Sequence, residues 1–98
     1  MGYALSGKVR NDLREIAVYV ATESGSLAIA EKVVDLLTRR FELLAERPYI
    51  GPARDDLKFG VRGFPVDRYM VVYRVMGKQV RILRVAHTRR DLVALMKT

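Results

Sequence analysis

The feature that most limits what this chain can fold into is a change of hydrophobic period near its middle. Up to residue 46, apolar side chains recur every three or four positions, the spacing of a helix face. Beyond Gly60 they alternate with polar ones, the spacing of a strand. Between the two regimes Pro48, Gly51, Pro52 and Gly60 punctuate a loop that also carries Arg47, Arg54, Asp55, Asp56 and Lys58. Helices first and strands after predict an α+β fold. A helical hairpin then packs on one face of a mainly antiparallel sheet.

Tyr3-Ala4-Leu5-Ser6 is read as a brief N-terminal strand, with the Ser6 hydroxyl capping the helix that follows. Val9, Leu13, Ile16, Ala17 and Val20 form the apolar face of that helix, and Gly25 stops it. Ile29, Ala30, Val33, Val34, Leu37, Phe41 and Leu44 form a second, longer stripe that ends before Pro48. The connection is short, so the two helices are predicted to be antiparallel. Residues 61–66 are a short strand whose Pro65 suits an edge or a strand end. Tyr69, Val71, Tyr73 and Val75 alternate with positions that include Met70 and Val72, so both faces are apolar and this strand is predicted to be central. Gly77-Lys78 is a tight turn, and Val80, Ile82, Leu83 and Val85 mark a strand reaching Ala86. Thr88 with Asp91 fits a capping box that opens a short C-terminal helix through Leu92, Leu95 and Met96. The first strand is expected beside a later one. No repeat, low-complexity stretch or linker appears, and residues 1–98 read as one domain.

Several chemistries are excluded by what is missing. There is no cysteine and one histidine, so no thiolate or histidine-rich metal site is expected, and no motif asks for a cofactor. No apolar run approaches the ~20 residues that span a bilayer, and no secretory signal is visible, so the expected compartment is the cytoplasm.

Charge is distributed unevenly. Residues 1–46 hold six Lys/Arg against seven Asp/Glu, a net of −1, whereas residues 47–98 hold twelve against four, a net of +8. Such a field attracts an anionic partner. Arg62, Arg68, Arg74, Arg81 and Arg84 are assigned to the later strands, interleaved with Phe64, Tyr69 and Tyr73. Guanidinium forks suit phosphate or carboxylate, so this is a candidate basic, aromatic surface. The spacing of Tyr69 and Tyr73 with Val71 and Val75 also fits plain core positions. His87 stands beside Arg84, Thr88, Arg89 and Arg90. It suits either a general acid or base or a strand-end residue bonded to a neighbouring loop. Asp91 is explained as a helix cap.

The segments ERPYIGPARDDLKFGVRGFPVDRYMVVYRV (46–75) and VRILRVAHTRRDL (80–92) carry a family pattern. Its pieces are Arg47-Pro48, Gly51, Leu57, Gly60, Arg62, Phe64-Pro65, Arg68-Tyr69, Tyr73-Arg74 and Arg84-Val85 with His87. Together with Leu5-Ser6 and residues 12–20, this order resembles the ParE subfamily of RelE/ParE toxins. The resemblance implies the toxin half of a type II toxin–antitoxin pair, with the fold described above. It implies no catalysis of its own, and DNA gyrase as the expected target. A small antitoxin would neutralise it through an acidic C-terminal segment, while the antitoxin's N-terminal half dimerises and binds operator DNA. The toxin would meet operator DNA only through that antitoxin, and no membrane.

The partner-binding candidates are Arg54, Arg62, Arg68, Arg74, Arg81, Arg84, His87, Arg89 and Arg90. The related RelE-type branch cleaves mRNA in the ribosome with lysines, arginines and a tyrosine. In an ungapped reading, its positions hold Val61, Gly63, Met70, Thr88 and Ala94 here. A nuclease reading would therefore fall back on Arg84, His87 and Arg90. A third reading is an inert family member that only binds antitoxin.

Overall fold

The two apolar stripes become α1 (Gly7–Ser24) and α2 (Leu27–Glu46) in a computed structural model that describes residues 2–97. α1 ends where Gly25 turns left-handed at φ +69°, its N–H bonding the Ala21 carbonyl. Ser26 then caps α2, its hydroxyl oxygen accepting from the Ile29 N–H at 3.2 Å. The helices run antiparallel, as their short connection requires. Ile29, assigned to the buried stripe, is instead 46% exposed at the tip of the hairpin, beyond the end of the sheet-facing core.

The strands are β1 (Tyr3–Leu5), β2 (Arg62–Val66), β3 (Tyr69–Met76) and β4 (Gln79–His87), and α3 (Leu92–Met96) closes the described chain. They form one sheet in the order β1-β4-β3-β2. β1 is parallel to β4, the other pairs are antiparallel, and β3 is indeed flanked on both sides. Pro65 lies on β2, an edge strand, where its missing N–H leaves no rung unfilled. Arg68 lies in the β2–β3 turn and not on a strand. Across from Tyr73 and Val72, β4 skips from Ile82 to Arg84, so Leu83 is an extra, bulged residue.

One sheet face meets the hairpin. Val9 and Ile16 of α1 and Leu37, Phe41 and Leu44 of α2 pack there on Tyr69, Val71, Tyr73, Val80, Ile82 and Val85. Burying each such side chain contributes about 1.5–3 kcal/mol. Tyr69 and Tyr73 are thus core residues, 8% and 0% exposed. The opposite face has its own cluster, in which Leu57, Val61 and Val72 are joined by Met70, Leu83, Leu92 and Met96. The loop before β2 and helix α3 cover it.

Two capping expectations are corrected. The Ser6 hydroxyl does not cap α1; it donates to the Leu83 carbonyl at 2.9 Å, because β1 ends while β4 runs on and that carbonyl needs a donor. Nor does Thr88 cap the last helix. Its N–H bonds the Arg68 carbonyl and so still belongs to the strand end. Asp91 is the cap instead, its carboxylate accepting from the Ala94 N–H at 3.1 Å. Among the described residues no helix is long and apolar enough to cross a membrane, and no group of three metal-ligating side chains converges.

Candidate functional site

β1 accompanies β4 only from Val80 to Ile82, so the outer edge of β4 is left without a strand partner beyond that point. The start of α1 stands in for one. The Ser6 N–H donates to the Ile82 carbonyl, the Ser6 hydroxyl to Leu83, and the Val85 N–H donates to Asp12 Oδ2 at 3.0 Å. Asp12 also receives Arg84 Nε and Nη2, each at 2.9 Å, in a two-pronged ion pair. This pair is withdrawn from solvent: the side chains are 7% exposed for Asp12 and 14% for Arg84. Arg84 Nη1 reaches on to the Leu95 carbonyl at 3.2 Å and so ties α3 to the sheet. Donating hydrogen bonds to the Asp12 carboxylate raises the Arg84 pKa, against the opposing effect of burial. Arg84 is therefore a structural cation, bonded within the fold.

Past Val85 the edge opens into a groove of about 370 Å³ between α1 and the end of β4. Ile16, Val85 and Ala86 give it an apolar floor, Tyr19 and Tyr69 line it, and Glu15 stands on the α1 side. His87, Arg89 and Arg90 form the other rim. The His87 ring meets Tyr69 edge-on at 5.8 Å, and its Nδ1 accepts from the Arg89 N–H at 3.0 Å. The ring is thus held by the turn that follows it, with Nε2 as the remaining nitrogen. Burial raises the Tyr69 hydroxyl pKa, so that phenol stays a neutral hydrogen-bonding group. Arg89 and Arg90 are exposed and make no side-chain hydrogen bond or ion pair with a described residue.

The remaining arginines fall into two groups. Arg54, Arg62 and Arg74 fasten the loop before β2. Arg54 pairs through two prongs with Asp56 at 2.9 Å, an exposed contact that raises the arginine's pKa and lowers the carboxyl's. Arg62 Nη1 donates to the Gly51 carbonyl at 2.7 Å, and its guanidinium lies 4.9 Å from the Tyr49 ring centre. Arg74 Nη2 donates to the Phe59 carbonyl at 3.1 Å. Arg68 and Arg81 are exposed and, like Arg89 and Arg90, make no such side-chain bond with a described residue. The nine candidates do not form one surface. Of the fallback nuclease set, His87 and Arg90 line the groove, while Arg84 does not and is bonded to Asp12, a residue of the groove wall.

The positions matched to the nuclease branch lie elsewhere. Val61, 1% exposed, and Met70 belong to the second apolar cluster. A Cβ on Gly63 would sit 3.0 Å from Arg54 Cγ and 3.1 Å from Met70 Sδ, so no larger side chain fits there unaided. Thr88 and Ala94 are exposed.

Asp12 is the functional-site residue that sequence reasoning passed over. It stands three residues after Val9 and four before Ile16, both buried, so the helical period itself places it on the inward face. A carboxylate there requires a cationic or N–H partner.

Comparison with known proteins agrees with this architecture. The family model described as the ParE toxin of the type II toxin–antitoxin system parDE matches residues 3–92. Toxin ParE3 of Caulobacter vibrioides is 33% identical over 72 residues, 74% of this chain and 72% of that protein. Toxin ParE1 of the same organism is 33% identical over 85 residues, 87% of this chain and 86% of that protein. A solved chain from the chromosomal ParDE system of P. aeruginosa superposes with a TM-score of 0.77 at 25% identity, covering 89% of this chain and 95% of that one. The family match takes in every strand and both long helices, and the relatives align over most of their own length. The chain belongs to the ParE toxin family of type II toxin–antitoxin systems.

Proposed function

We propose that this toxin acts in the cytoplasm by binding DNA gyrase, without breaking bonds itself, and is held inactive by a cognate antitoxin. The observation that carries the non-catalytic reading is the second apolar cluster. Phosphodiester cleavage needs groups that move protons and neutralise developing charge. Val61, Gly63 and Met70 occupy the matching positions and supply neither. His87 keeps a nitrogen for proton transfer and shares the groove with Arg90, but Arg84, the other cation of that set, is bonded to Asp12.

The antitoxin reading is supported by the groove along β4. An extended acidic segment fits its open edge, with carboxylates meeting Arg89 and Arg90 and apolar side chains on the Ile16–Val85 floor. Ordering on contact would let a short tail cover the site.

Purified toxin at micromolar concentration is expected to inhibit gyrase supercoiling of relaxed plasmid, and a ParD-like antitoxin is expected to restore it. Undiminished supercoiling would reject gyrase as the target. Expression without antitoxin should arrest growth; unimpaired growth would leave only antitoxin binding.

A further inference from the structure

The sheet face away from the hairpin carries a pair of like charges in direct opposition. Arg74 of β3 and Arg81 of β4 are register partners, and both alternate with residues that pack on the helices, so they share the outer face. Side chains opposite one another across a sheet lie roughly 5 Å apart, and like charges there are destabilising. Among the described residues neither guanidinium has an ion pair. Asp55, in the adjoining loop, accepts from the Gly60 N–H at 3.0 Å and makes no ion pair with either guanidinium. Lys58 adds a third cation beside Leu83 of β4, on the same face.

Phe59 borders this cluster through its carbonyl, which holds Arg74, yet its own side chain is 83% exposed. Such a ring next to a repelling cation pair suits a ligand with regularly spaced anions and flat apolar faces. We propose that this face binds single-stranded nucleic acid, with Arg74 and Arg81 on the phosphates and Phe59 stacked on a base. The role lies beyond target and antitoxin binding and does not depend on gyrase being the target.

The test is fluorescence anisotropy of the full chain with a labelled single-stranded oligonucleotide across a salt series. Phe59→Ala should weaken binding roughly tenfold. Arg81→Gln should weaken it and make the slope of log affinity against log salt shallower by about 0.7. Both positions are exposed, and a thermal melt matching the parent's is the control for folding of each variant. Arg10→Gln, an equal charge loss on exposed α1, should cost much less. No binding at low salt overturns the proposal. So does equal loss from Arg10→Gln and Arg81→Gln, or a Phe59→Ala chain that binds like the parent. Binding of a glutamate-rich peptide in place of the oligonucleotide would assign the face to an acidic protein and also overturn it.

Discussion

Asp12 accepts hydrogen bonds from Arg84 Nε, Arg84 Nη2 and the Val85 N–H, so one carboxylate joins α1 to β4 at three points. Removing one member of a buried pair leaves the other charged and unsolvated. Asp12→Ala should therefore lower unfolding free energy by about 3–5 kcal/mol in urea. Adding Arg84→Met to that variant should cost about 1 kcal/mol or less, because the stranded cation goes too. Fully additive losses would show that the two do not interact. Tyr73 makes a second buried link, donating to the Pro48 carbonyl at 2.7 Å and accepting from the Gly51 N–H at 3.0 Å. Gly51 has to be glycine, since a Cβ there would lie 2.6 Å from that hydroxyl. Tyr73→Phe should cost about 1–3 kcal/mol at neutral pH by leaving the Gly51 N–H without its acceptor. Burial raises the Tyr73 pKa above its ordinary 10.0. The folded chain then keeps a proton that the unfolded chain releases. The stability this confers is complete below pH 10 and is lost as pH climbs towards the folded-state value. The parent's urea midpoint should consequently fall more steeply above pH 10 than that of Tyr73→Phe.

At the scale of elements, β4 is the organising strand. It takes β1 on one side, β3 on the other, and the first turns of α1 where β1 stops. Ser6→Ala should cost about 1 kcal/mol without loss of helical signal by circular dichroism, because the hydroxyl serves β4 and not the helix end. Frayed helix would contradict that assignment. The layer order, the central β3, the edge position of Pro65 and the helical hairpin were all legible in the sequence. Each depends on a period or on a backbone restriction that a single segment carries. What stayed hidden were contacts between distant segments. Ser6 and Thr88 each have the right chemistry for a cap, but the carbonyl that claims Ser6 lies 77 residues away. Arg84 looked like its strand neighbours because nothing local marks Asp12, 72 residues earlier, as its partner. The apolar cluster over the outer face was likewise invisible, since Leu57, Val61 and Leu92 come together only when the loop and α3 fold over β3 and β4. Introducing the nuclease branch's charge there by Val61→Lys should cost about 3 kcal/mol or more and confer no RNA cleavage.

At the scale of the whole molecule, the +8 half is strands β2 to β4, the loop before them and the last helix, and the near-neutral half is β1 with the hairpin. Antitoxin association should therefore slow as salt rises. Arg89→Gln with Arg90→Gln should slow it further at low salt while leaving the melting temperature unchanged. The central claim is that toxicity comes from gripping a macromolecule. The most direct measurement follows transcript ends in a purified translation system given this toxin, beside gyrase and plasmid given the same preparation. The account predicts intact transcripts and an accumulation of gyrase-linked broken DNA, both unchanged by His87→Ala. Transcripts cut on the ribosome by the parent and spared by His87→Ala, with the plasmid untouched, would contradict it.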